Sequence, residues 1–473
     1  MLTLINTNTM VPPIAPVGLD YIAAATRPAD IETHLLDLSS AGDGPDALER
    51  YFAENSPMLV GLSFRNADDC FWPSATWFVP ELVRTVERIR KLTDAPIVLG
   101  GVGYSIFAAR ILAETGADFG VHGDGEWALA ELYRRLRKGR DCSNVPGLLW
   151  RDGSEIRANP PAWPAPLRLP TSRDAVDNAA YLRLGGQIGL ETKRGCDRRC
   201  AYCADPLAKG PTARCREPGE VAEEVENLLA AGVDVLHLCD GEFNIPREHA
   251  LAVCRELDRR DLGSRVLWYT YMAVTPFDAE LAAAMRRAGC VGIDFTADSA
   301  SERMLRSYGH PHRREDIATA RRLCREHGIT AMFDLLLGGP GETPETIAET
   351  IAFFKSIDPD CVGAALGVRV YEGTAIAARL TAEPQPESNP GIRRRYDGPL
   401  DLARPTFYIS PELGERPAEL VRELIAGDKR FFEPAPDAAG DDRGYNYNDN
   451  EPLVRAIADG ARGAYWDILR KLR

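Results

Sequence analysis

The 473-residue sequence has no apolar run of the roughly 20 residues needed to cross a bilayer. Its first residues, MLTLINTNTMVPP, lack a basic region followed by an apolar stretch. No secretory signal is read, no membrane is expected as a partner, and the expected compartment is the cytoplasm. A basic footprint is also missing. Lys and Arg number 56 against 70 Asp and Glu, for a net charge of −14, which argues against nucleic acid as a partner. The acidic balance serves solubility and mildly favours a cationic small-molecule substrate. The eleven cysteines are an odd number, and without an export signal a disulfide framework is not expected. Cys239, Cys254, Cys290 and Cys324 sit in apolar or amphipathic segments and read as buried fillers. No repeat of solenoid period is present.

What is present is alternation. In the first 140 residues, LTLIN (Leu2–Asn6), THLLDL (Thr33–Leu38), LVGLSF (Leu59–Phe64), PIVLGG (Pro96–Gly101) and DFGVHG (Asp118–Gly123) read as strands, and Glu81–Leu92 and Glu126–Lys138 read as helices. Such alternation predicts a doubly wound parallel sheet, with ligands outside the carboxyl ends of its strands. A hairpin, GLLWRDGSEIRA, follows, with a turn at Asp152-Gly153. The proline-rich stretch Asn159–Pro170 disfavours helix and central strand and reads as a linker. A second alternating region, 187–380, offers six strands: Ile188–Thr192, Val235–Cys239, Val266–Tyr271, Gly292–Ala297, Met332–Leu337 and Gly363–Val370. Six β-α repeats suit a partial barrel; a complete one needs about 250 residues. The expected organisation is therefore 1–140, a hairpin and linker over 141–186, a partial (β/α)6 barrel over 187–380, and an irregular, partly helical cap over 381–473. In that cap, Tyr445, Asn446, Tyr447 and Asn448 read as a solvent-exposed loop, with closure over the site as the alternative.

Three further cysteines are clustered. Arg194–Cys203 reads RGCDRRCAYC, with Cys196, Cys200 and Cys203 spaced C-x3-C-x2-C directly after a strand. Thiolates are soft ligands suited to zinc or iron–sulfur clusters. Three of them on a four-iron cluster leave one iron without a protein ligand and open to substrate. A zinc site completed by a distant His and chance clustering are the competing readings. Cys215 is a weaker candidate for a fourth ligand, because its ARCREP context reads as a helix entry.

This spacing, with the aromatic Tyr202 before the third cysteine, resembles the radical S-adenosylmethionine (SAM) superfamily over roughly 187–380. The resemblance implies a [4Fe–4S] cluster on Cys196, Cys200 and Cys203 whose open iron chelates SAM. It implies reductive cleavage of SAM to a 5′-deoxyadenosyl radical that takes a hydrogen atom from a small polar metabolite, with electrons from a donor such as flavodoxin or ferredoxin. It also implies further SAM contacts. Asp240-Gly241-Glu242 stands where the family has GGE, Asp298-Ser299 where it often has Glu-Ser, and Gly338-Gly339 where it places a turn against adenine. Arg369, on the sixth strand, is a candidate partner for a carboxylate. The bland reading of the glycines is a tight turn before a helix capped by Thr343, and of Arg369 a structural ion pair.

The first region resembles the cobalamin-binding domain found ahead of many radical SAM enzymes. The residues that carry this are Pro16–Tyr21, Ser63, Gly100-Gly101 and Gly123–Glu126. The D-x-H-x-x-G loop that supplies a cobalt-ligating histidine in some cobalamin proteins is absent; radical SAM relatives often bind cobalamin without it. Phe71, Trp72 and Trp77 are suited to lining a corrin pocket or filling it, and Asp68 and Asp69 to meeting a cationic substrate. The expected activity is cobalamin-dependent C-methylation in specialised metabolism. The alternative is cobalamin-free radical dehydration or epimerisation of a cationic amino-sugar-like substrate. A non-catalytic iron–sulfur or zinc scaffold is a third reading, opposed by the turn residues at several strand ends.

Overall fold

A computed structural model of the chain describes residues 1–39, 43–44, 46–382, 386–436 and 446–473. The chain divides into two compact units. One holds residues 1–68, 77–195 and 205–234; the other holds 69–76, 196–204 and 235–473.

The first unit opens as a doubly wound sheet. Strands β1 (Leu2–Asn6), β2 (Thr33–Asp37), β3 (Leu59–Ser63), β4 (Ile97–Gly100) and β5 (Phe119–Val121) run parallel in the order β2-β1-β3-β4-β5. Helices α1 (Val17–Thr26), α2 (Ala47–Glu54), α3 (Val79–Arg90), α4 (Val102–Ile106), α5 (Ala108–Thr115) and α6 (Gly125–Arg137) alternate with them. The amphipathic pattern of α3 explains its seating: Val79, Leu82, Val86 and Ile89 recur at helical spacing and are all buried. The hairpin β6 (Leu148–Asp152) and β7 (Glu155–Ala158) extends the sheet antiparallel, with Gly153 at φ +63° in its turn. The proline-rich stretch carries no helix or strand, as read, yet it is packed down. Leu167 and Leu169 are buried in one cluster with Tyr21, and Trp163 closes against Gly123 and Gly210.

The rest of this unit comprises α7 (Asn178–Arg183), the short strands β8 (Gly189–Leu190), β9 (Lys193–Arg194) and β10 (Arg214–Cys215), and helices α8 (Asp205–Lys209) and α9 (Pro218–Ala230). The strand expected over Ile188–Thr192 is thus reduced to two residues. Cys215 lies within β10, opposite Lys193 of β9, so the expected helix entry begins only at Pro218.

A buried charge network holds α1, α9 and the segments around them. Glu224 accepts hydrogen bonds from Tyr21 Oη at 2.7 Å, Arg173 Nη1 at 2.8 Å and Arg216 Nη1 at 2.5 Å. Asp20 accepts from Arg173 Nε at 2.7 Å and Asn178 Nδ2 at 2.8 Å. The side chains of Arg173, Asp20, Arg216 and Glu224 are almost wholly removed from solvent. Such charges tolerate burial only when paired; Arg216 Nη1 also donates to Glu191 O at 2.8 Å, while its Nε and Nη2 meet no acceptor among the described residues.

The second unit carries five consecutive parallel strands, β11 (Val235–Leu238), β12 (Leu267–Ala273), β13 (Cys290–Asp298), β14 (Thr330–Leu337) and β15 (Cys361–Leu366), in spatial order. Helices α10 (Arg247–Arg259), α11 (Ala279–Arg287), α12 (Glu302–Tyr308), α13 (Arg314–His327) and α14 (Pro344–Ile357) connect them. Phe295 stacks on Phe333 at 5.2 Å, and Phe333 packs on Phe354 of α14 at 5.5 Å. Each such buried ring contributes about 1.5–3 kcal/mol. As expected, the architecture is α/β, a parallel-sheet domain followed by a barrel-like one.

One strand differs from the reading. The run Gly363–Val370 does not continue as a single sixth strand. Gly367 adopts φ +97° and ends β15. The chain resumes as β16 (Val368–Arg369), which joins an antiparallel sheet of its own with β17 (Ile392–Arg394) and β18 (Thr406–Tyr408), following α15 (Ala375–Thr381). A side chain at this φ would be strained, and a Cβ here would also press on Trp72 at 3.2 Å. The chain then forms α16 (Pro417–Ile425), β19 (Phe431–Phe432), which pairs parallel with β15, α17 (Glu451–Ala458) and α18 (Tyr465–Lys471). Cys254, Cys290 and Cys324 are buried fillers as read, whereas Cys239 is only partly buried.

Candidate functional site

The three clustered cysteines lie on a loop, Cys196–Ala204, free of regular structure. A helix would disperse residues 196, 200 and 203 along its axis; a loop lets their sulfurs converge. Backbone hydrogen bonds pin it: Ala201 N donates to Tyr308 O at 2.8 Å, Ile376 N to Ala201 O at 2.9 Å and Cys203 N to Cys200 O at 3.1 Å. Cys196 is buried, and Cys200 and Cys203 are partly so. Burial pushes the Cys200 thiol up, and Asp298, Cys203, Glu242 and Cys196 each push it further. The fold thus gathers around Cys200 the other two cysteines, the acid of the Asp240-Gly241-Glu242 turn, and the acid ending β13. Soft donors on three sides suit an iron–sulfur cluster. Among the described residues no trio of His, Cys, Asp or Glu side chains is arranged around a single ion.

Tyr202 does not stand free as an aromatic wall. Its hydroxyl donates to Asp298 Oδ2 at 2.6 Å, and its ring meets Tyr308 edge-on at 5.7 Å. His310 contacts the same oxygen of Asp298 at 2.5 Å. Burial lowers the His310 pKa, but the Asp298 carboxylate outweighs it, and the net shift is upward. Asp298 has φ +58°, at a register shift between β13 and β14. Asp tolerates this left-handed backbone better than most residues, and strain of this kind collects at functional sites. Asp240 is buried, and Gly241 and Glu242 are partly exposed beside it. His310 and Tyr308 were not legible as site residues, because only the return of α12 against the loop brings them there.

The remaining candidates are used differently. Ser299 Oγ meets Thr350 Oγ1 at 2.9 Å and accepts from Ser301 N at 3.1 Å, so it ties the end of β13 to α14. Gly338 and Gly339 form the expected turn. Gly338 has φ +92°, and a Cβ on Gly339 would sit 2.2 Å from Tyr308 Oη. Thr343 caps α14 as read. Arg369, on β16 rather than on a sixth barrel strand, donates to the carbonyls of Val370, Leu402 and Thr406 and stacks over Tyr371 at 4.5 Å. It fastens the small antiparallel sheet.

Glu342, in the same turn, is an acid with a large upward shift. Burial pushes it up to about 7, although Thr346 Oγ1 and Gly338 N donate to it. A raised carboxyl favours the folded state while protonated, so this contribution is present below the ordinary value of 4.5 and lost as pH rises to about 7. Glu342→Gln is expected to remove about 3 kcal/mol of that pH dependence. Urea midpoints measured across the interval should fall less with rising pH in the variant than in the wild type.

In the first unit, Ser63, Gly100 and Gly101 stand at the carboxyl ends of β3 and β4. Thr7 Oγ1 donates to Ser63 O at 2.8 Å. A Cβ on Gly100 would meet nothing within 4 Å, while one on Gly101, at φ +101°, would lie 2.5 Å from Phe64 O. The strand end therefore opens at Gly100 and needs glycine at Gly101, an edge that admits a flat ligand. Asp20, Tyr21, Asp124 and Glu126, part of the same resemblance, are spent inside the unit. The first two join the Glu224 network, and Glu126 accepts from Arg194 at 2.7 Å while Asp124 pairs with Arg194 and Arg214. Trp72 packs on Phe407 at 5.9 Å with Arg395 over it at 5.1 Å. Asp69 organises its own loop through Phe71 N, Ser74 Oγ and Thr76 N. Asn446 and Asn448 are buried rather than solvent-exposed, and Asn446 reaches Asp69 at 3.3 Å; Tyr445 lies outside the described residues.

The family described as the radical SAM superfamily matches residues 190–354, and the B12 binding domain matches residues 4–133. A tryptophan 2-C-methyltransferase of Streptomyces laurentii is 29% identical over 98% of this chain and 94% of that protein. The radical SAM methyltransferase TsrM of Kitasatospora setae, solved with tryptophan substrate and a SAM analogue, is 32% identical, with a TM-score of 0.90 over 100% of this chain and 99% of that one. The same enzyme has been solved with cobalamin and a [4Fe-4S] cluster. The cobalamin-dependent SAM radical enzyme OxsB, 17% identical, shares the fold, with a TM-score of 0.71 over 86% of this chain and 64% of that one. The chain belongs to the radical SAM superfamily, in the branch with an N-terminal B12-binding domain, and is an enzyme of the methyltransferase type.

Proposed function

We propose that this enzyme transfers a methyl group to a carbon atom of tryptophan or a close indole relative. The observation that carries the reading is the end-to-end likeness, at 32% identity, to an enzyme solved with tryptophan as substrate. Cys196, Cys200 and Cys203 would hold the [4Fe–4S] cluster, and Glu242 and the Gly338-Gly339 turn would receive SAM. The open rim at Ser63, Gly100 and Gly101 would receive cobalamin. The cluster with SAM supplies one-electron and substrate-radical chemistry when bound, and cobalamin supplies a methyl carrier.

The chain's own residues orient and exclude. Asp298 takes hydrogen bonds from both Tyr202 and His310, which fixes the aromatic side of the cysteine loop against α12. The turn at Gly338 lets backbone approach a ligand where a side chain would block it. The small substrate expected from the sequence fits this reading, and electrons from a flavodoxin- or ferredoxin-type donor remain part of the proposal.

The test is anaerobic. Enzyme reconstituted with iron, sulfide and cobalamin is given tryptophan and SAM labelled in its methyl group. Methyltryptophan carrying the label is the expected product. Label confined to SAM-derived products, with a cobalamin-loaded and cluster-loaded enzyme, would refute tryptophan as substrate.

A further inference from the structure

Two acids inside the strand wall of the second unit have no role in the site as described. On β13, Ile293, Phe295 and Ala297 point toward the helices, as the stacking of Phe295 on Phe333 shows. The alternate residues Gly292, Asp294 and Thr296 therefore face the lumen. A Cβ at Gly292 would touch the rings of Tyr269 at 2.6 Å and Trp466 at 3.0 Å, so α18 closes the floor at that level. Asp294 is the first lumen residue above this floor. Tyr271 of β12 stands beside it in register, and the Asp334 side chain of β14 hydrogen-bonds to it.

Above Asp294 the lumen is open. Tyr271 is 37% exposed, and Thr296, Asp334, Leu336 and Ala365 are only partly buried. Asp294 itself is 2% exposed, and its Oδ1 accepts no hydrogen bond among the described residues. The groups that act on its charge are Asp334 and Glu242, both acidic. The cations of the floor helix are already committed, since Arg470 and Lys471 both pair with Asp467. Burial pushes Asp294 well above the usual carboxylate range, and Asp334 pushes it further. Each carboxylate raises the cost of ionising the other. An anionic pair in a closed-bottomed, open-topped lumen is costly unless a cation joins it.

We propose that Asp294 and Asp334 form a subsite for one organic cationic group, either the ammonium of the amino-acid substrate or the sulfonium of SAM. The substrate arm rests on the function proposed above; the SAM arm does not. The pair differs from the acids at the strand ends in lying one layer deeper, against the floor.

Asp294→Asn and Asp334→Asn keep shape and remove charge. Each is prepared as oxidised, cluster-loaded holoenzyme under anaerobic conditions at mildly alkaline pH. Its ligand-free thermal midpoint is measured, with its affinity for SAM, for the uncharged-sulfur analogue S-adenosylhomocysteine, for tryptophan and for indole-3-propionate, which lacks the ammonium. A subsite kept at the expense of stability predicts a ligand-free midpoint equal to or above that of the wild type. It also predicts at least about tenfold weaker binding of SAM or of tryptophan, with the matching neutral analogue unchanged. Whichever cation is weakened identifies the source. A fall in midpoint in both variants, or four unchanged affinities, overturns the proposal. A wild-type enzyme that binds no tryptophan would refute the proposed substrate instead, and the midpoint and the SAM pair still decide the subsite.

Discussion

Cys200→Ala is expected to reduce bound iron from about four per chain to less than about one and to abolish methyl transfer. Each cysteine of the loop would hold one iron, and Cys200 is the thiol whose surroundings include both of the others. Two thiolates cannot hold a four-iron cluster against loss to solvent. Because the loop is pinned by the backbone of Ala201 and Cys203, the fold should survive, and far-ultraviolet circular dichroism should be unchanged. Cys215→Ala is the control. Cys215 sits in the β9–β10 ladder of the first unit, and its loss should leave the iron count intact. Full iron and turnover in the Cys200 variant would remove the cluster from this loop.

The largest stability effect is expected at Glu224. Its carboxylate, 0% exposed, takes bonds from two guanidinium groups and the Tyr21 hydroxyl. Glu224→Ala leaves Arg173 and Arg216 buried with one acceptor fewer each and an excess of positive charge. Removing one partner of a buried ion pair costs about 3–5 kcal/mol, which lowers the thermal midpoint of a unit this size by roughly 10 °C. The loss should be nearly the same at low and high salt, since buried pairs are little screened. A loss of under about 1 kcal/mol, or one that vanishes in salt, would show that the network behaves as a surface one. The cluster and its iron should form at temperatures where the variant is folded, which separates this effect from that of the cysteines.

Much of the fold was legible because its signals are local. The period of apolar residues sets β1 to β5 and the helices between them, and Asp152-Gly153 sets the hairpin. The cysteine spacing and the Gly338-Gly339 turn are likewise written in a few consecutive residues. Misreadings arose where a local pattern met a distant constraint. Gly363–Val370 has strand composition throughout, yet Gly367 turns away and leaves Arg369 to bind three carbonyls. Pro16–Tyr21 and Gly123–Glu126 carry the resemblance to a cobalamin-binding edge, but their three acids, Asp20, Asp124 and Glu126, pair with buried arginines that arrive from tens of residues away. Asn446 and Asn448 read as surface because they are polar, and they are buried because hydrogen bonds await them.

The sequence by itself determined the α/β class, the three-cysteine loop and the pair of family resemblances, since spacing and periodicity are properties of neighbouring residues. Tertiary structure alone decided what surrounds each acid. It brought His310 and Tyr202 to one oxygen of Asp298, paired Asp294 with Asp334 inside the strand wall, and gave Glu224 two arginines. The physical reason is that a carboxylate has no fixed role of its own: its behaviour follows from the charges and the solvent that folding leaves within a few ångströms of it.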